Sequence, residues 1–326
     1  MTVGGLKENG IRRAEIIEHI PLASQVFQLK LHAPDVAAVA VPGQFVNVYL
    51  NDAAMLLPRP IGVADATDAQ VTLIYAVAGR GTELLSRYAS GTCVRLLGPN
   101  GNGYNLGAIG AHALLIGGGL GVPPLLFAAK RIRERGGARI TAVLGYKDEP
   151  YCLRGMKLFC DSVYGISERA APVSELSARA SGTEAAGSEP KCDGKTGNVM
   201  DLLTSTEVGE ELDAGNATVL SCGPAPMLRA VARWAQMRGI RAQVSLEERM
   251  GCGYGACVCC TCAVKPREEP AGGREASADE TAGRTDLNGG IGGRFESEGE
   301  RRGLVRRKVC TDGPVFQSDE IVWGDD

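Results

Sequence analysis

The sequence has no apolar run approaching the ~20 residues that cross a bilayer, and its first twenty residues, MTVGGLKENGIRRAEIIEHI, lack the apolar core of a signal peptide. The expectation is a soluble, cytoplasmic protein without a membrane-spanning helix, in a compartment where thiols stay reduced. Charge of one sign is also missing. Lys and Arg number 35 against 38 Asp and Glu, net −3, which leaves no electrostatic footprint for nucleic acid. The dinucleotide fingerprint G-x-G-x-x-G is absent too, because the third glycine position after Gly117 and Gly119 is Val122. A length of 326 residues suits two domains plus an appendage.

What is abundant is cysteine in one place. Of 11 cysteines, five lie in MGCGYGACVCCTCA, between Met250 and Ala263, and Cys310 follows in VRRKVCTDGPVF. Cys252, Cys257 and Cys260 have the C-x4-C-x2-C spacing by which a loop wraps a plant-type [2Fe-2S] cluster, with the fourth ligand supplied from a distance. Cys310 is the candidate fourth. Backbone N–H groups must approach the sulfurs closely, and Gly251, Gly253, Gly255 and Ala256 remove the side chains that would obstruct them. C-x2-C pairs also serve zinc, but interleaved pairs suit one tetrahedral ion poorly. A disulfide knot requires an oxidising compartment. Cys259 and Cys262 remain as bystanders or substitute ligands.

From Ala14 to Pro99, short apolar segments such as VFQLKLHA, GQFVNVYL, VTLIYAVAG and VRLLG alternate with turns. Phe27, Leu29 and Leu31 fall on one face and Val26, Gln28 and Lys30 on the other, the period of half-buried strands. An antiparallel barrel or sandwich is expected. In LLPRPIGVAD, Pro60 predicts an edge or rim segment, where Arg59 is placed to fork onto a pyrophosphate. In AGRGTELLSRYA, Thr82 reads as an N-cap whose helix turn offers N–H groups to a phosphate. Taken singly, RP is more often a turn and GT more often only a cap.

From His112 the pattern becomes strand and helix in alternation. ALLIGGGLGVPPLLFAAKRIRERGG reads as a buried strand, a glycine turn with Gly117, Gly118, Gly119 and Gly121, and a helix opening on Pro123 and Pro124. ARITAVLGY, ATVLSCGPAPMLRAVARWAQMRG and IRAQVSLEE continue a parallel α/β sheet. Cys222, Gly223 and Pro224 recur at the carboxyl end of a later strand, where nucleotides bind in such sheets. The competing reading is that these glycines serve tight helix-to-sheet packing. Asp148 is a candidate for a ribose hydroxyl. Residues 174–197 and 266–303 are rich in Gly, Ser, Ala and charge and read as flexible loops.

The order RPIG, GRGTELLS, GPNGNGYNL, LIGGGLGVPPL, SCGPAPML, SLEERMGCGYGAC and VCTDGPVF resembles the electron-transfer subunits of NAD-dependent, class 1B dihydroorotate dehydrogenases, in the ferredoxin reductase group. The resemblance implies a multi-domain β plus α/β protein: an FAD-binding β-barrel over 1–108, an NAD-binding α/β domain over 109–245 and a [2Fe-2S] segment over 246–326. It implies FAD contacts from Arg59, Pro60, Ile61, Gly62, Ile74, Tyr75, Ala76, Gly81 and Thr82, with Gly62 standing where relatives carry serine. NAD(H) as co-substrate falls to the two glycine turns, and Cys222 is a candidate for proximity to nicotinamide. Nicotinamide exchanges two electrons and a cluster one, so a flavin must stand between them. No acid-base constellation for a pyrimidine is found here. The resemblance therefore implies an FMN-containing catalytic partner, in a heterotetramer of two catalytic and two electron-transfer subunits serving pyrimidine biosynthesis. Arg249, Arg306, Arg307 and Lys308 flank the cysteines, either offsetting the anionic cluster, facing the partner or forming a solvated edge. The alternatives are a ferredoxin:NAD(P) reductase-like subunit of another oxidoreductase and, from a different class, a zinc-bearing interaction module.

Overall fold

The computed structural model describes residues 10–169, 196–205, 216–266 and 304–324. Strands β1 (Arg12–Ala23), β2 (Val26–His32), β3 (Phe45–Tyr49), β4 (Arg59–Thr67), β5 (Gln70–Ala76) and β6 (Cys93–Asn100) close into a barrel. The order round it is β1-β2-β5-β4-β3-β6, with every neighbouring pair antiparallel. The expected alternation positions the core: Leu29 and Leu31 are fully buried, with Ile16, Val46, Val48, Leu73 and Val94 around them, while Gln28 and Lys30 stay partly exposed.

Two local expectations are corrected. Pro60 is not on an edge, because the closed barrel sets β4 between β3 and β5, with Pro60 opposite Asn47. Proline is tolerated there because the ladder between β4 and β5 begins only at Val63 opposite Leu73. Thr82 is not the N-cap. A short helix, α2 (Arg80–Leu85), follows the four-residue α1 (Pro34–Ala37) in the chain, and Gly79 caps it. Thr82 is the third residue of α2, where its Oγ1 accepts from the N–H groups of Ala78 at 2.9 Å and Gly79 at 3.2 Å. A threonine one turn in can reach back to the entering chain as a capping-box side chain does.

The second half is a six-stranded sheet in the order β14-β11-β10-β7-β8-β9, namely β7 (His112–Gly118), β8 (Arg139–Tyr146), β9 (Ser162–Ser167), β10 (Ala217–Cys222), β11 (Arg241–Ser245) and β14 (Val315–Gln317). Five of these strands run parallel, and β14 joins β11 antiparallel as an edge strand. Among the described residues, helices α3 (Val122–Arg135), α4 (Leu153–Phe159), α5 (Val199–Thr204) and α6 (Ala225–Met237) accompany this sheet. Pro123 and Pro124 open α3, as expected, and Leu125, Ala128, Ala129 and Ile132 form its buried stripe. A two-stranded antiparallel sheet, β12 (Thr261–Val264) and β13 (Val305–Lys308), flanks the cysteine segment. Residues 174–195 and 267–303, read from sequence as flexible loops, lie outside the described residues. No helix among the described residues is long and apolar enough to cross a membrane.

The barrel and sheet are joined through α3, which lies against β4. Phe127, fully buried, belongs to the barrel's own apolar core although it sits on a helix of the sheet half. Beside it, Lys130 Nζ donates to both Asp65 oxygens at 2.7 and 3.0 Å and to Thr67 Oγ1 at 2.9 Å. Lys130 is 16% exposed and Asp65 33%, so water still screens the pair. Packing therefore dominates this junction. Phe127→Ala is expected to lower the free energy of unfolding by about 3–5 kcal/mol, and Lys130→Met by only about 1 kcal/mol. Urea unfolding of the two variants checks the ranking.

Candidate functional site

A cleft of about 300 Å³ opens where the barrel, the sheet and the cysteine segment meet. It gathers Arg59, Pro60, Ile61, Gly62, Ile74, Tyr75, Ala76 and Thr82 from the barrel, and Cys222 from the end of β10. Gly81, the remaining barrel residue named from sequence, lies beneath Arg59. A Cβ there would collide with the guanidinium, so glycine permits the arginine to lie flat over the start of α2. Arg59 Nη1 donates to the carbonyls of Leu57 at 2.8 Å and Pro58 at 3.1 Å, which holds the guanidinium at the cleft.

Tyr75 is held from behind. Its hydroxyl lies 2.9 Å from His19 Nε2, and His19 Nδ1 lies 2.7 Å from the carbonyl oxygen of Tyr88. A carbonyl can only accept, so in neutral His19 the proton sits on Nδ1 and Tyr75 donates to Nε2. Burial pushes the Tyr75 hydroxyl well above the usual tyrosine range, so it stays protonated. Gly62 has its own local reason: a Cβ would stand 3.1 Å from Cγ of Pro124, at the head of α3. Glycine at this position permits close contact between barrel and helix.

The two glycine turns behave differently from the cleft residues. Gly117 is packed against Leu125, Val122 and Leu144, Gly118 against Met227 and Pro224, and Gly121 against the carbonyl of Cys222. Gly223, at φ +152°, lies over the backbone of Gly118. These glycines bring the ends of β7 and β10 together, which is the packing role weighed for them from sequence. Gly119, at φ +53°, faces open space. Asp148 makes an exposed ion pair with Arg169 at 2.9 Å and is not among the cleft residues. Sequence reading missed Phe45, Leu120, Pro124, Ser245, Leu246, Glu247, Glu248 and Met250 in the lining. The other seven lie in or beside motifs that were noticed; Phe45 alone gave no signal, being one apolar residue among several in a strand.

Burial pushes the Cys222 thiol up, with the Glu247 carboxylate adding to the effect. Glu247 is itself raised by desolvation. It is open to water but walled by protein in the concave mouth of the cleft, so it is accessible and partly desolvated at once.

On the far side of Phe45 stand the cysteines. Phe45 lines the cleft and also belongs to an apolar cluster with Cys260, Cys310, Val309, Phe316 and Met250. The loop carrying Cys252, Cys257 and Cys260 has no regular structure and turns through left-handed backbone at Gly253 (φ +70°) and Gly255 (φ +90°). Lys308 Nζ donates to the Gly255 carbonyl at 2.6 Å, and Val309 N–H to the Cys260 carbonyl at 2.7 Å, so the strand before Cys310 is stitched to the loop. Arg306 and Arg307 are exposed on β13.

Of the four candidate ligands, Cys252 Sγ accepts from the Cys257 N–H at 3.3 Å, and Cys260 and Cys310 are both fully buried in one apolar cluster. A [2Fe-2S] cluster takes two thiolates on each iron, four in all. Among the described residues, no three His, Cys, Asp or Glu side chains are grouped about one point. Cys259 is exposed and its thiol faces the Arg249 carbonyl at 3.3 Å, while Cys262 lies on β12 opposite Arg307. Cys262 packs against the apolar cluster that holds Cys260 and Cys310. The chemistry of the donor set therefore fits a [2Fe-2S] cluster.

Burial disfavours the Cys252 thiolate, but N–H groups of Tyr254, Cys257 and Ala256 and the Cys257 thiol outweigh it and bring Cys252 down to about 7. Burial and the neighbouring Cys260 thiol push Cys310 up to about 11. At pH 8 the metal-free protein then carries Cys252 mostly as thiolate and Cys310 almost wholly as thiol. Brief alkylation followed by peptide mapping is expected to label Cys252 well before Cys310. A second expected outcome concerns the cleft: Gly81→Ala displaces Arg59 and weakens flavin retention at least about tenfold, the scale of one lost charge-assisted contact, as read by fluorescence on dilution.

No family model matches the chain. It is 34% identical over 319 residues to the dihydroorotate dehydrogenase B (NAD(+)) electron transfer subunit of Shouchella clausii, covering 95% of this chain and 97% of that one. It is 33% identical over 318 residues to the corresponding subunit of Bacillus caldolyticus, covering 96% and 99%. Among solved structures, an NADH-dependent reduced ferredoxin-NADP oxidoreductase superposes with TM-score 0.65 at 23% identity, covering 96% of this chain and 91% of that one. A ferredoxin NADP+ reductase from Neisseria gonorrhoeae superposes with TM-score 0.51 at 14% identity, covering 70% and 92%. The latter two likenesses establish a ferredoxin reductase-like fold. Related at this level over nearly its whole length, the chain belongs to the family of electron transfer subunits of dihydroorotate dehydrogenase B (NAD(+)).

Proposed function

We propose that this chain carries electrons between a dihydroorotate-oxidising catalytic subunit and NAD, in the pathway that makes pyrimidines. The observation that carries the reading is the back-to-back arrangement of cleft and cysteines, with Phe45 belonging to both. FAD, when bound, exchanges two electrons with nicotinamide and passes them singly, and a [2Fe-2S] cluster accepts them one at a time.

Arg59 would hold the flavin pyrophosphate by its guanidinium, with Gly81 leaving room beneath it. Pro60, Ile61, Gly62, Ile74, Tyr75, Ala76 and Thr82 would line the flavin's course along the barrel. Leu120, Pro124 and Phe45 supply apolar walls that exclude water from it. NAD(H) would reach the same cleft from the carboxyl ends of β7 and β10, by way of Gly117, Gly118, Gly119, Gly121, Gly223 and Pro224. Cys222 lines the cleft there as a protonated, uncharged thiol at neutral pH, suited to contact rather than to nucleophilic chemistry. Cys252, Cys257, Cys260 and Cys310 would hold the cluster. The division into units 1–108, 109–245 and 246–326 follows these three tasks, the last lending β14 to the sheet of the second.

The pyrimidine site and its FMN belong to a separate catalytic subunit in this reading, in a cytoplasmic heterotetramer of two catalytic and two electron-transfer chains. Reconstitution tests it. The chain alone is expected to reduce artificial acceptors with NADH and to form no NADH from dihydroorotate. Addition of the FMN-containing catalytic subunit from the same source is expected to confer dihydroorotate-dependent NAD reduction. NADH-dye activity with no such gain would favour a ferredoxin:NAD(P) reductase-like role for another oxidoreductase.

A further inference from the structure

Asparagine is an unfavourable residue for the centre of a strand, yet Asn47 occupies the middle of β3, wholly buried between the fully buried Val46 and Val48. A buried amide costs stability unless its polar atoms are bonded. Asn47 Nδ2 donates to the carbonyl oxygen of Cys252 at 3.0 Å, and Oδ1 has no partner in the protein. The Cys252 carbonyl can only accept, so the NH2 group must face it and the amide orientation is determined. The adjoining residue, Gly253, has φ +70°, and a Cβ there would collide with the Asn47 amide. Across the ladder, Asn47 pairs with Pro60, on the strand that lines the cleft. One side chain thus spans from the cleft strand to the first of the four cysteines.

We propose that Asn47 is a positioning residue that pins the Cys252 end of the cysteine loop to the β3–β4 pair and so fixes the cluster against the flavin cleft. The inference rests on the cluster assignment made under Proposed function. Bonds to groups outside the ligand shell orient the ligands, and their loss commonly costs 10–100-fold in metal affinity or activity. Asn47 acts through a backbone carbonyl of a ligand residue, so its loss should loosen the loop and leave the flavin in place.

The test uses full-length protein purified without oxygen. Asn47→Leu keeps the volume and removes both polar atoms; Asn47→Asp keeps the shape and turns the donor into an acceptor. Both are expected to release iron to excess chelator at least about tenfold faster than wild type and to change the electron paramagnetic resonance line shape of the reduced protein, with FAD content unchanged. Asn100→Ala serves as control, because it removes another barrel amide bond, to the Leu97 carbonyl at 3.0 Å, and should release iron at the wild-type rate. Should Asn47→Asp fail to fold around a buried charge, Asn47→Leu carries the test. Wild-type iron release and line shape in Asn47→Leu would overturn the inference. Parallel loss of iron and FAD would also overturn it, by showing a general barrel role. Wild-type protein devoid of iron would instead overturn the cluster assignment on which it rests.

Discussion

Four sulfur atoms from two distant stretches of chain must be held together beside the barrel, and most of the C-terminal architecture follows from that requirement. The loop from Cys252 to Cys260 has no ladder of its own. Its shape is imposed by neighbours: Asn47 on the Cys252 carbonyl, Lys308 on the Gly255 carbonyl, and Val309 N–H on the Cys260 carbonyl. Cys310 arrives because β13 pairs with β12, and it stays because β14 completes the edge of the main sheet beside β11. The lone antiparallel strand of that sheet is an anchor for the fourth cysteine. In a parallel α/β sheet the remaining strands need crossover helices, and this edge needs none.

The same economy of contact joins the two large units. Phe127 is inserted from α3 into the barrel core, Pro124 touches Gly62, and Gly121 and Gly223 allow the ends of β7 and β10 to meet. The cleft is therefore bounded by elements that are packed on one another, which suits chemistry in which cofactor spacing matters more than a charged catalytic group. Its titratable residues agree. Tyr75 and Cys222 are raised and neutral at physiological pH, and Glu247 at the mouth is raised as well.

Much of this was readable in the residues. The C-x4-C-x2-C spacing with a distant cysteine singled out one loop and the strand end that the fold stitches to it, and alternation in VFQLKLH was enough for a barrel strand. The start of α3 was read correctly because two prolines mark its first turn. What escaped the sequence was tertiary in origin. Pro60 reads as an edge residue when only its missing N–H is considered, and barrel closure resolves that by delaying the β4–β5 ladder to Val63. Thr82 looks like a cap because Gly79 carries no side chain to advertise the true helix start. The glycines of the two turns suggested both a nucleotide site and tight packing, and their neighbours, Leu125 for Gly117, Met227 for Gly118 and the Cys222 carbonyl for Gly121, come only from the fold. Asn47 carried no local signal, since its partner lies 205 residues away.

The central claim is that these thiols hold a one-electron centre next to a flavin, and elemental composition addresses it most directly. Iron, acid-labile sulfide and FAD should be measured together on oxygen-protected, full-length protein. The account predicts about two irons and two sulfides for each FAD per chain. Zinc in place of iron, or iron without flavin, would contradict it.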